Sequence, residues 1–570
     1  MPSSTNPERK APKVMVIGFD GATLELLRPW AEQGLLPTFQ RLMKEGAWGE
    51  LESTIPPVTP AAWSTMATGL NQGKHGIFDF YGRQEGSYDA YMVNATNRHG
   101  STIWRLLGKA GYRSTVFNVP ASYPPDPIEG TMVTGLLTPS NATDASYPRE
   151  VLDELKEAVP GFSFYPPGIF SRGEEVKFVN DVLEWDQMTL KATEFLMDRD
   201  PADFVFTVFI GVDVVSHFMW REMVTKGAAA ATDDPTERET LANAIQSVYQ
   251  QADTILAQML DTADEDTYVI VVSDHGFGPL DYYMHLNTWL VDKGYLKFKR
   301  TPEVRLKHLA YRLGLTPLRI LETLRALGLG GKVKDSVSNR RDLVEAMVKR
   351  AFLSLDDVDW SQTTAFGVGF GGPIFVNLKG REPQGIVEPG AEYEALLKRL
   401  EADLRELRHP ITGDPFVNQI FRREELYSGP YTELASDIMF APHDLSNQGY
   451  GVHGFASNRW LEPTPDRNGT HRMNGILFMK GPGIEAGSEV EGASLCDIAP
   501  TVLALMGVPI PDNSDGQVLS AAFSPALRSQ LTISYQEAED ERAEAIVAPE
   551  MSPEEEKQIR ERLEALGYGG

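Results

Sequence analysis

Cysteine is almost absent from this chain: its 570 residues include one, Cys496. A single cysteine excludes an intramolecular disulfide and any zinc module built from several cysteines. Long apolar runs are missing too, since none approaches the roughly 18 residues that a helix needs to cross a bilayer. Residues 1–13 are polar and lack the apolar core of a signal peptide. We therefore expect a cytoplasmic protein without a transmembrane segment.

Basic residues are scarce relative to acidic ones: 53 Lys and Arg stand against 80 Asp and Glu, a formal net charge of -27. Because nucleic-acid binding depends on basic surfaces, we predict no nucleic-acid-binding surface. An anionic substrate would need local positive charge, which bound metal ions can supply. The sequence does not decide the oligomeric state.

The middle of the chain alternates strand-like and helix-like segments from residue 14 to about residue 297. One example is a helix-like segment at 101–110 followed by a strand-like segment at 113–119. Such alternation is typical of an α/β fold with a central, mostly parallel sheet and helices on both faces. We expect this catalytic domain to span residues 13–530.

Two further segments differ from that pattern. Residues 298–355 carry Leu, Arg and Lys at helical spacing, which predicts a helical cap inserted into the domain. Its basic amphipathic part, 304–325, favours a packed and solvated helix pair, and membrane contact is the alternative. Residues 535–570 are rich in Glu and Arg and predict an acidic C-terminal tail with a short helix near 553–566.

Three short apolar runs each lead to an aspartate, and two of these aspartates are followed by a histidine. The runs are Val14 to Gly18 before Asp20, Phe204 to Ile210 before Asp213 and His217, and Tyr268 to Val272 before Asp274 and His275. Ligands of open α/β sheets bind at the carboxyl ends of the strands. Converging carboxylates and imidazoles at such an edge are what a divalent metal site requires.

Each pair also has an ordinary structural explanation as a turn or a helix cap. Asp213 and His217 are four residues apart, so on a helix both could reach one metal ion. Asp274 and His275 are adjacent, and they meet one metal only if the turn is tight. His453 lies between glycines in a loop, from which an imidazole could project inward. His471, just before a strand-like run, is a candidate to support the ligands indirectly.

Thr59 precedes Pro60 and a helix-like stretch, and it has two interpretations. As an N-cap it would satisfy backbone amides of the helix. As a nucleophile, its hydroxyl would lie at a helix N-terminus beside a metal, where the helix dipole favours an approaching anion.

Taken in order, these motifs resemble a known superfamily. The matching stretches are GFDGA at Gly18 to Ala22, VTPAAWSTMATG at Val58 to Gly69, HGIFDF at His75 to Phe80, DVVSH at Asp213 to His217, SDHGFG at Ser273 to Gly278, VHGF at Val452 to Phe455 and DIAPTVLALMGV at Asp497 to Val508. The chain resembles the alkaline phosphatase superfamily, and within it the type I phosphodiesterase/nucleotide pyrophosphatase family and its soluble bacterial phosphohydrolase relatives.

The resemblance implies an alkaline-phosphatase-like sheet and a two-metal site acting on a small-molecule phosphoester. Asp213, His217 and His453 would hold one metal. Asp20, Asp274, His275 and the Thr59 oxygen would hold the other. Zinc (Zn2+) suits these N and O ligands, with manganese (Mn2+) or iron as alternatives. Thr59 would form a phospho-threonine intermediate that water then hydrolyses.

Other activities of the same superfamily remain open. A phosphomonoesterase, phosphomutase or phosphotransferase would share the fold and the metals, and threonine at the nucleophile position favours diesters over these. A sulfatase would need a modified Cys or Ser in a C/S-x-P-x-R context, which Cys496 does not provide. A metal-stabilised scaffold without activity is the alternative from a different class. We therefore predict a phosphodiesterase-type phosphoester hydrolase.

Overall fold

The computed structural model describes residues 12–84, 86–168, 170–230, 232–326, 350–451, 455–464, 466–538 and 551–567. Within these ranges, no helix combines the length and the apolar character that crossing a membrane requires.

The strands, in chain order, are β1 (Val14–Phe19), β2 (Ala47–Glu52), β3 (Tyr81–Arg83), β4 (Ala90–Met92), β5 (Ser114–Phe117), β6 (Gly130–Val133), β7 (Ser146–Tyr147), β8 (Phe204–Phe209), β9 (Tyr268–Val272), β10 (Gly276–Pro279), β11 (Tyr282–His285), β12 (Ala365–Gly367), β13 (Ile374–Val376), β14 (Val417–Arg422), β15 (Ile438–Pro442), β16 (Asn447–Tyr450), β17 (Leu461–Pro463), β18 (Gly469–Arg472), β19 (Asn474–Lys480), β20 (Ser488–Glu489), β21 (Ala493–Ser494), β22 (Ile510–Pro511) and β23 (Tyr535–Gln536).

The α-helices, also in chain order, are α1 (Leu24–Glu32), α2 (Pro37–Glu45), α3 (Thr59–Thr68), α4 (Gln72–His75), α5 (Ile103–Lys109), α6 (Val151–Ala158), α7 (Glu175–Arg199), α8 (Gly211–Val224), α9 (Pro235–Ala242), α10 (Ala244–Leu260), α11 (Leu286–Asp292), α12 (Pro302–Arg312), α13 (Pro317–Ala326), α14 (Ala391–Arg405), α15 (Arg423–Leu426), α16 (Ile498–Leu505), α17 (Pro525–Gln530) and α18 (Pro553–Leu566).

A central sheet carries the fold, with strand order β20-β2-β19-β9-β1-β8-β5-β6-β7 and β21 paired to β2. The strands from β9 through β1, β8 and β5 to β6 are parallel, whereas β19 runs antiparallel to both of its neighbours. All residues of β1 and β8 are buried, so both faces of the central strands are covered. Helices α2, α7, α8 and α10 pack together in one group, and α3, α5 and α16 in another. The predicted α/β class is confirmed.

A second hydrophobic core lies outside this sheet. The strands β12, β13, β15 and β14 form an antiparallel sheet of their own. Its core includes Trp289, Phe366, Phe375 and Leu400, all of them buried. The sequence-predicted helical segment at 298–355 borders this core: α12 and α13 are helical, and residues 327–349 lie outside the described ranges.

The C-terminal helix α18 matches the short helix expected near 553–566. It does not stand free, because Ile559, Leu563 and Leu566 are buried in the main core. Gly567, directly after this helix, lies against the side chain of His217: a Cβ placed on it would be 2.9 Å from His217 Cβ. The tail therefore packs beside the residues that the sequence analysis singled out.

Candidate metal centre

The candidate site lies at the carboxyl ends of three neighbouring strands. In the sheet, Gly18 of β1 pairs with Val208 of β8 and with Val272 of β9, so the three strands end at the same level. The chain continues from these ends into Asp20, into α8 with Asp213, and into Asp274. Side chains that are between 61 and 254 residues apart in sequence are thereby brought to one edge.

Two glycines allow the elements to approach so closely. Gly21 has a φ of 71°, and a Cβ on it would lie 2.9 Å from Asp213 Cβ. A Cβ on Gly18 would be 2.4 Å from the Trp63 ring. Trp63 in turn donates its Nε1 hydrogen bond to Asp20 Oδ2 over 2.8 Å, which fixes that carboxylate. Sequence reasoning did not identify Trp63, because nothing in its local pattern separates it from a core tryptophan.

Asp213 and His217 lie on one face of α8, as their spacing predicts. His217 Nε2 is 3.3 Å from Asp213 Oδ2, and both side chains are fully buried. Asp213 is in the first turn of the helix. The buried carboxyl of Asp186, on α7, packs against Gly211, the first residue of α8, where a Cβ would lie 2.1 Å from Asp186 Oδ2. This contact holds the N-terminus of α8 in place.

Asp274 and His275 converge in a tight turn instead of pointing apart. His275 Nε2 lies 3.3 Å from Asp274 Oδ2 and 3.6 Å from Asp20 Oδ1. The backbone amide of Gly21 donates to Asp274 Oδ1 over 3.3 Å, which ties the end of β9 to the end of β1.

The third histidine of the site is His471 on β18. Its Nε2 is 3.3 Å from Asp213 Oδ1 and 3.3 Å from His217 Nε2. The antiparallel pairing of β18 with β10 places it opposite Phe277, close to the turn that carries His275. The sequence analysis gave His471 only a supporting place and assigned the third ligand to His453, which lies outside the described residues. The feature that sequence reasoning overlooked was the position of His471 within a short polar strand beside the main sheet.

The ligand atoms form two overlapping groups. Asp213, His275 and His471 make one, and Asp20, Asp274 and His275 make the other; within each group the atoms lie within 4.8 Å of one another. His275 is shared, so the two groups adjoin. Two adjoining carboxylate and imidazole sets are the arrangement that a pair of divalent cations needs.

The backbone sets the orientation of all three imidazoles. His275 Nδ1 lies 3.0 Å from Gly276 O, His471 Nδ1 lies 2.8 Å from Pro57 O, and His217 Nδ1 lies 3.1 Å from Gly469 O. A carbonyl only accepts, so Nδ1 carries the hydrogen and the Nε2 lone pair of a neutral ring faces the site. Arg467 Nε is 3.0 Å from His217 Nδ1 and 3.2 Å from Gly469 O. In the ligating tautomer Arg467 therefore donates to Gly469.

The electrostatics of the site favour a bound cation. Burial, together with the charges of neighbouring carboxylates, raises the pKa of Asp20 and of Asp274 well above the usual range. Burial lowers the pKa of His217 to about 4, with the charge of Arg467 adding to this effect, and lowers that of His275 well below its usual value. Neutral imidazoles are the form that binds metals.

Two buried carboxylate oxygens of the site, Asp20 Oδ1 and Asp274 Oδ2, lack a hydrogen-bond donor among the described residues, and Asp186 Oδ1 beside the start of α8 is a third such oxygen. Buried polar atoms are normally satisfied, and a buried acceptor left without a donor is costly. The two Nε2 lone pairs of His217 and His471 also face each other across 3.3 Å. Both features fit cations coordinated between these groups, so the donor set suits the metals that the resemblance implies.

Thr59 is the first residue of α3, and Val58 occupies the N-cap position without a side-chain capping bond. The N-cap interpretation of Thr59 is therefore wrong: a residue with helical backbone angles at this position does not place its hydroxyl over the first turn. Instead the buried hydroxyl lies 3.3 Å from His275 Nε2. It borders the group formed by Asp20, Asp274 and His275, at the positive end of a helix dipole.

Comparisons with known proteins identify one family model and several similar solved structures. A model of the family described as type I phosphodiesterase / nucleotide pyrophosphatase matches residues 14–444. No curated protein matches the sequence. Similar solved structures include phosphonoacetate hydrolase from Sinorhizobium meliloti in complex with phosphonoformate, at 15% identity and a TM-score of 0.49, covering 86% of this chain and 95% of that chain. Another is an inactive form of murine ectonucleotide pyrophosphatase / phosphodiesterase 5 in complex with AMP, at 14% identity and a TM-score of 0.46. The match covers 90% of this chain and 100% of that chain.

The family match covers more than half of the chain and includes the segments that carry Asp20, Thr59, Asp213 and Asp274. The chain belongs to the type I phosphodiesterase/nucleotide pyrophosphatase family of phosphoester hydrolases, within the alkaline phosphatase superfamily.

Proposed function

We propose that this protein is a phosphodiesterase that uses two divalent cations and Thr59 as its nucleophile. The observation that carries the proposal is the position of the Thr59 hydroxyl, 3.3 Å from His275 Nε2 and beside buried carboxylate oxygens that lack donors. A structural cluster would have its acceptors satisfied within the chain. A hydroxyl beside a set of candidate metal ligands suits phosphoryl transfer.

The two cations would be held by two sets of residues. Asp213, His217 and His471 would bind one, and Asp20, Asp274, His275 and Thr59 the other. Zinc suits this mixed N and O donor set, and manganese is the alternative. His453 stays a predicted ligand of the first cation. When bound, the cations would neutralise phosphoryl oxygens and lower the pKa of the Thr59 hydroxyl.

The chain's own contribution is orientation. The Thr59 hydroxyl lies 3.3 Å from His275 Nε2, so its oxygen faces the same part of the site as that ligating nitrogen. The Thr59 proton passes to water, Oγ1 bonds to phosphorus as the bond from phosphorus to the ester oxygen breaks, and the leaving alkoxide takes a proton from water and departs as the alcohol. The positive end of the α3 dipole favours the anionic group during this step. Water then attacks the phospho-threonine, releases the phosphate product and restores Thr59.

A phosphomonoesterase or a phosphotransferase of the same superfamily is the second candidate. Two basic side chains near His471 favour it, because a dianionic phosphate needs more positive charge than a diester. Arg467 lies beside His217, and Arg472 follows His471. Both guanidinium groups, however, donate to backbone carbonyls: Arg467 to Gly469, and Arg472 to Thr470, His471 and Pro279. This engagement favours the diester.

Two chromogenic substrates separate the candidates. The zinc-loaded protein should hydrolyse bis-p-nitrophenyl phosphate faster than p-nitrophenyl phosphate. Chelation should abolish both rates, and zinc or manganese should restore them. A clear preference for the monoester would favour the second candidate. Full activity after exhaustive chelation would contradict metal dependence itself.

A further inference from the structure

Exposed hydrophobic side chains are concentrated in one short segment. Of the twelve large hydrophobic residues exposed among the described residues, five lie between positions 306 and 320. They are Leu306 (69% exposed), Leu309 (55%), Leu313 (70%), Leu315 (55%) and Ile320 (39%). Scattered single exposed residues are ordinary on a protein surface, whereas a contiguous group marks an interaction site.

Helix α12 has two apolar faces, and within the described part of the chain one of them is buried and the other is exposed. Val304 and Tyr311, seven residues apart, are buried, and the Tyr311 hydroxyl is anchored to Ser457 O over 2.8 Å. Leu306 and Leu309, together with Leu313 just beyond the helix end, are spaced three and four residues apart and therefore lie on the opposite face. Among the described residues, that second face is not part of either hydrophobic core.

The exposed face is flanked by basic side chains. Arg305 and Arg312 are exposed and follow Val304 and Tyr311 directly, so they lie between the two apolar faces. Residues 297–326 contain eight Lys and Arg and two Glu, a local net charge of +6 in a chain whose net charge is -27. A basic segment bordering exposed leucines, within an acidic protein, is the pattern of a helix that lies on an anionic membrane surface.

We propose that the α12 surface, formed by Leu306, Leu309, Leu313, Leu315 and Ile320 with Arg305, Arg312 and Arg319, docks on the headgroup region of an anionic lipid bilayer. The leucines enter the interface and the guanidinium groups contact lipid phosphates. A symmetric dimer through this face fits less well, because a twofold axis would bring Arg305 and Arg312 toward the same residues of the second copy. This docking is independent of the proposed catalytic activity.

Co-sedimentation of the full-length, metal-loaded protein with vesicles tests the proposal. We expect binding to vesicles of phosphatidylcholine mixed with phosphatidylglycerol, weak binding to phosphatidylcholine alone, and release at high salt. The triple variant Leu306→Ser/Leu309→Ser/Leu313→Ser should bind at least about tenfold more weakly. Because these side chains are exposed, the thermal stability of the variant should equal that of the wild type.

Matched controls separate the apolar and basic contributions. Ile411→Ser/Leu445→Ser removes hydrophobic residues exposed by 69% and 51% elsewhere and should leave binding unchanged. Arg305→Gln/Arg312→Gln should weaken binding about tenfold or more on the anionic vesicles alone.

Three results would overturn the proposal. The first is an absence of vesicle binding, and the second is equal binding to neutral and anionic vesicles. The third is a self-association in solution that the triple leucine variant abolishes while vesicles bind neither protein; this result would assign the face to a second copy.

Discussion

Two regions of this molecule contain buried aspartates with opposite surroundings. In the antiparallel sheet, Asp437 accepts two hydrogen bonds from Arg381 over 2.8 and 2.6 Å, one from Tyr393 over 2.7 Å and one from the Val376 amide over 2.6 Å. Although burial alone would raise it, these partners hold the pKa of Asp437 below the usual value. At the ends of the central strands, Asp20 and Asp274 are as deeply buried, yet each has one oxygen without a donor.

The two regions show how a structural carboxylate differs from one reserved for a ligand. A buried charge persists when partners within the chain satisfy it. Donors within the chain satisfy the carboxylate of Asp437, and through these partners it links β13, β15 and α14. Asp20 and Asp274 face other carboxylates, so the fold tolerates them at neutral pH most readily with a cation between them.

The largest effect should come from Thr59→Ala. Removing the nucleophile should lower kcat on the order of 10^4-fold or more, since the other groups of the site cannot form the covalent intermediate. Metal content, measured by elemental analysis, should stay unchanged if the carboxylates and imidazoles provide most of the ligation. Ser64→Ala, in the same helix and equally buried, should keep normal turnover. Appreciable activity in Thr59→Ala would remove Thr59 from the mechanism.

The variant Asp437→Asn tests the structural side of the comparison. It should destabilise the protein by about 1–3 kcal/mol, because Arg381 and Arg423 lose the charge of a fully buried partner while Arg381 keeps Glu382. Urea denaturation of the metal-free protein would measure this change. The folded variant should bind metal as the wild type does.

The matched variant Asp20→Asn should behave in the opposite way. Its metal-free form should be as stable as the wild type or more stable, because one of the mutually repelling carboxylates is gone while Trp63 keeps an acceptor. Its metal affinity should fall at least about a hundredfold, a larger loss than the 10- to 100-fold typical of groups that only support ligands. If Asp437→Asn and Asp20→Asn lower the free energy of unfolding equally, the two regions do not differ as described.

The variants His471→Ala and His453→Ala decide which histidine completes the first cation site. His471 lies 3.3 Å from both Asp213 and His217. Removing the His471 imidazole should therefore lower the affinity of the protein for one of the two cations at least about tenfold, as measured by competition with a chromogenic chelator. If His453→Ala lowers the metal affinity more than His471→Ala does, then His453 is the third ligand of the first cation, as inferred from the sequence, and His471 is not.

A change of pH should have a smaller effect, which acts on the stability of the metal-free protein and on metal binding. The raised pKa values of Asp20 and Asp274 mean that these groups stabilise the metal-free fold at low pH and lose that contribution as pH rises through their folded pKa values. His217 has the opposite sign: its contribution is present above about pH 6.5 and is lost as pH falls toward its folded pKa of about 4. Metal binding requires all of these groups deprotonated.

The gain in Tm on adding zinc should therefore be a few degrees larger at about pH 8 than at about pH 5. Thermal scans of the metal-free and metal-loaded protein at both pH values would measure it. In Asp20→Asn the difference between the two pH values should shrink. A gain that is independent of pH would mean that zinc binds elsewhere.

Much of this site could be predicted from sequence because it follows from local patterns. The runs that form β1, β8 and β9 are apolar on both faces, which fixes their place in a parallel sheet and brings their carboxyl ends together. The four-residue spacing of Asp213 and His217 was sufficient to predict a shared helix face. The type of fold followed from the same alternation of elements.

The rest depends on contacts between distant segments. His471 reaches the site through the pairing of β18 with β10, and a short polar strand has no periodicity that reveals its partner. The acidic composition after residue 535 predicted a tail, yet the spacing of Ile559, Leu563 and Leu566 lets α18 pack on the core and places Gly567 against His217. The sequence also could not show that Asp437 is satisfied and Asp20 is not.

The central claim is that five buried side chains, the partly buried His471 and one hydroxyl hold a pair of cations. Anomalous diffraction from crystals grown with zinc, recorded on both sides of the zinc absorption edge, tests it most directly. The account predicts two peaks roughly 4 Å apart, one beside Asp213, His217 and His471 and one beside Asp20, Asp274, His275 and Thr59. Zinc-loaded crystals with no peak between these residues, or with Thr59 distant from both peaks, would contradict it.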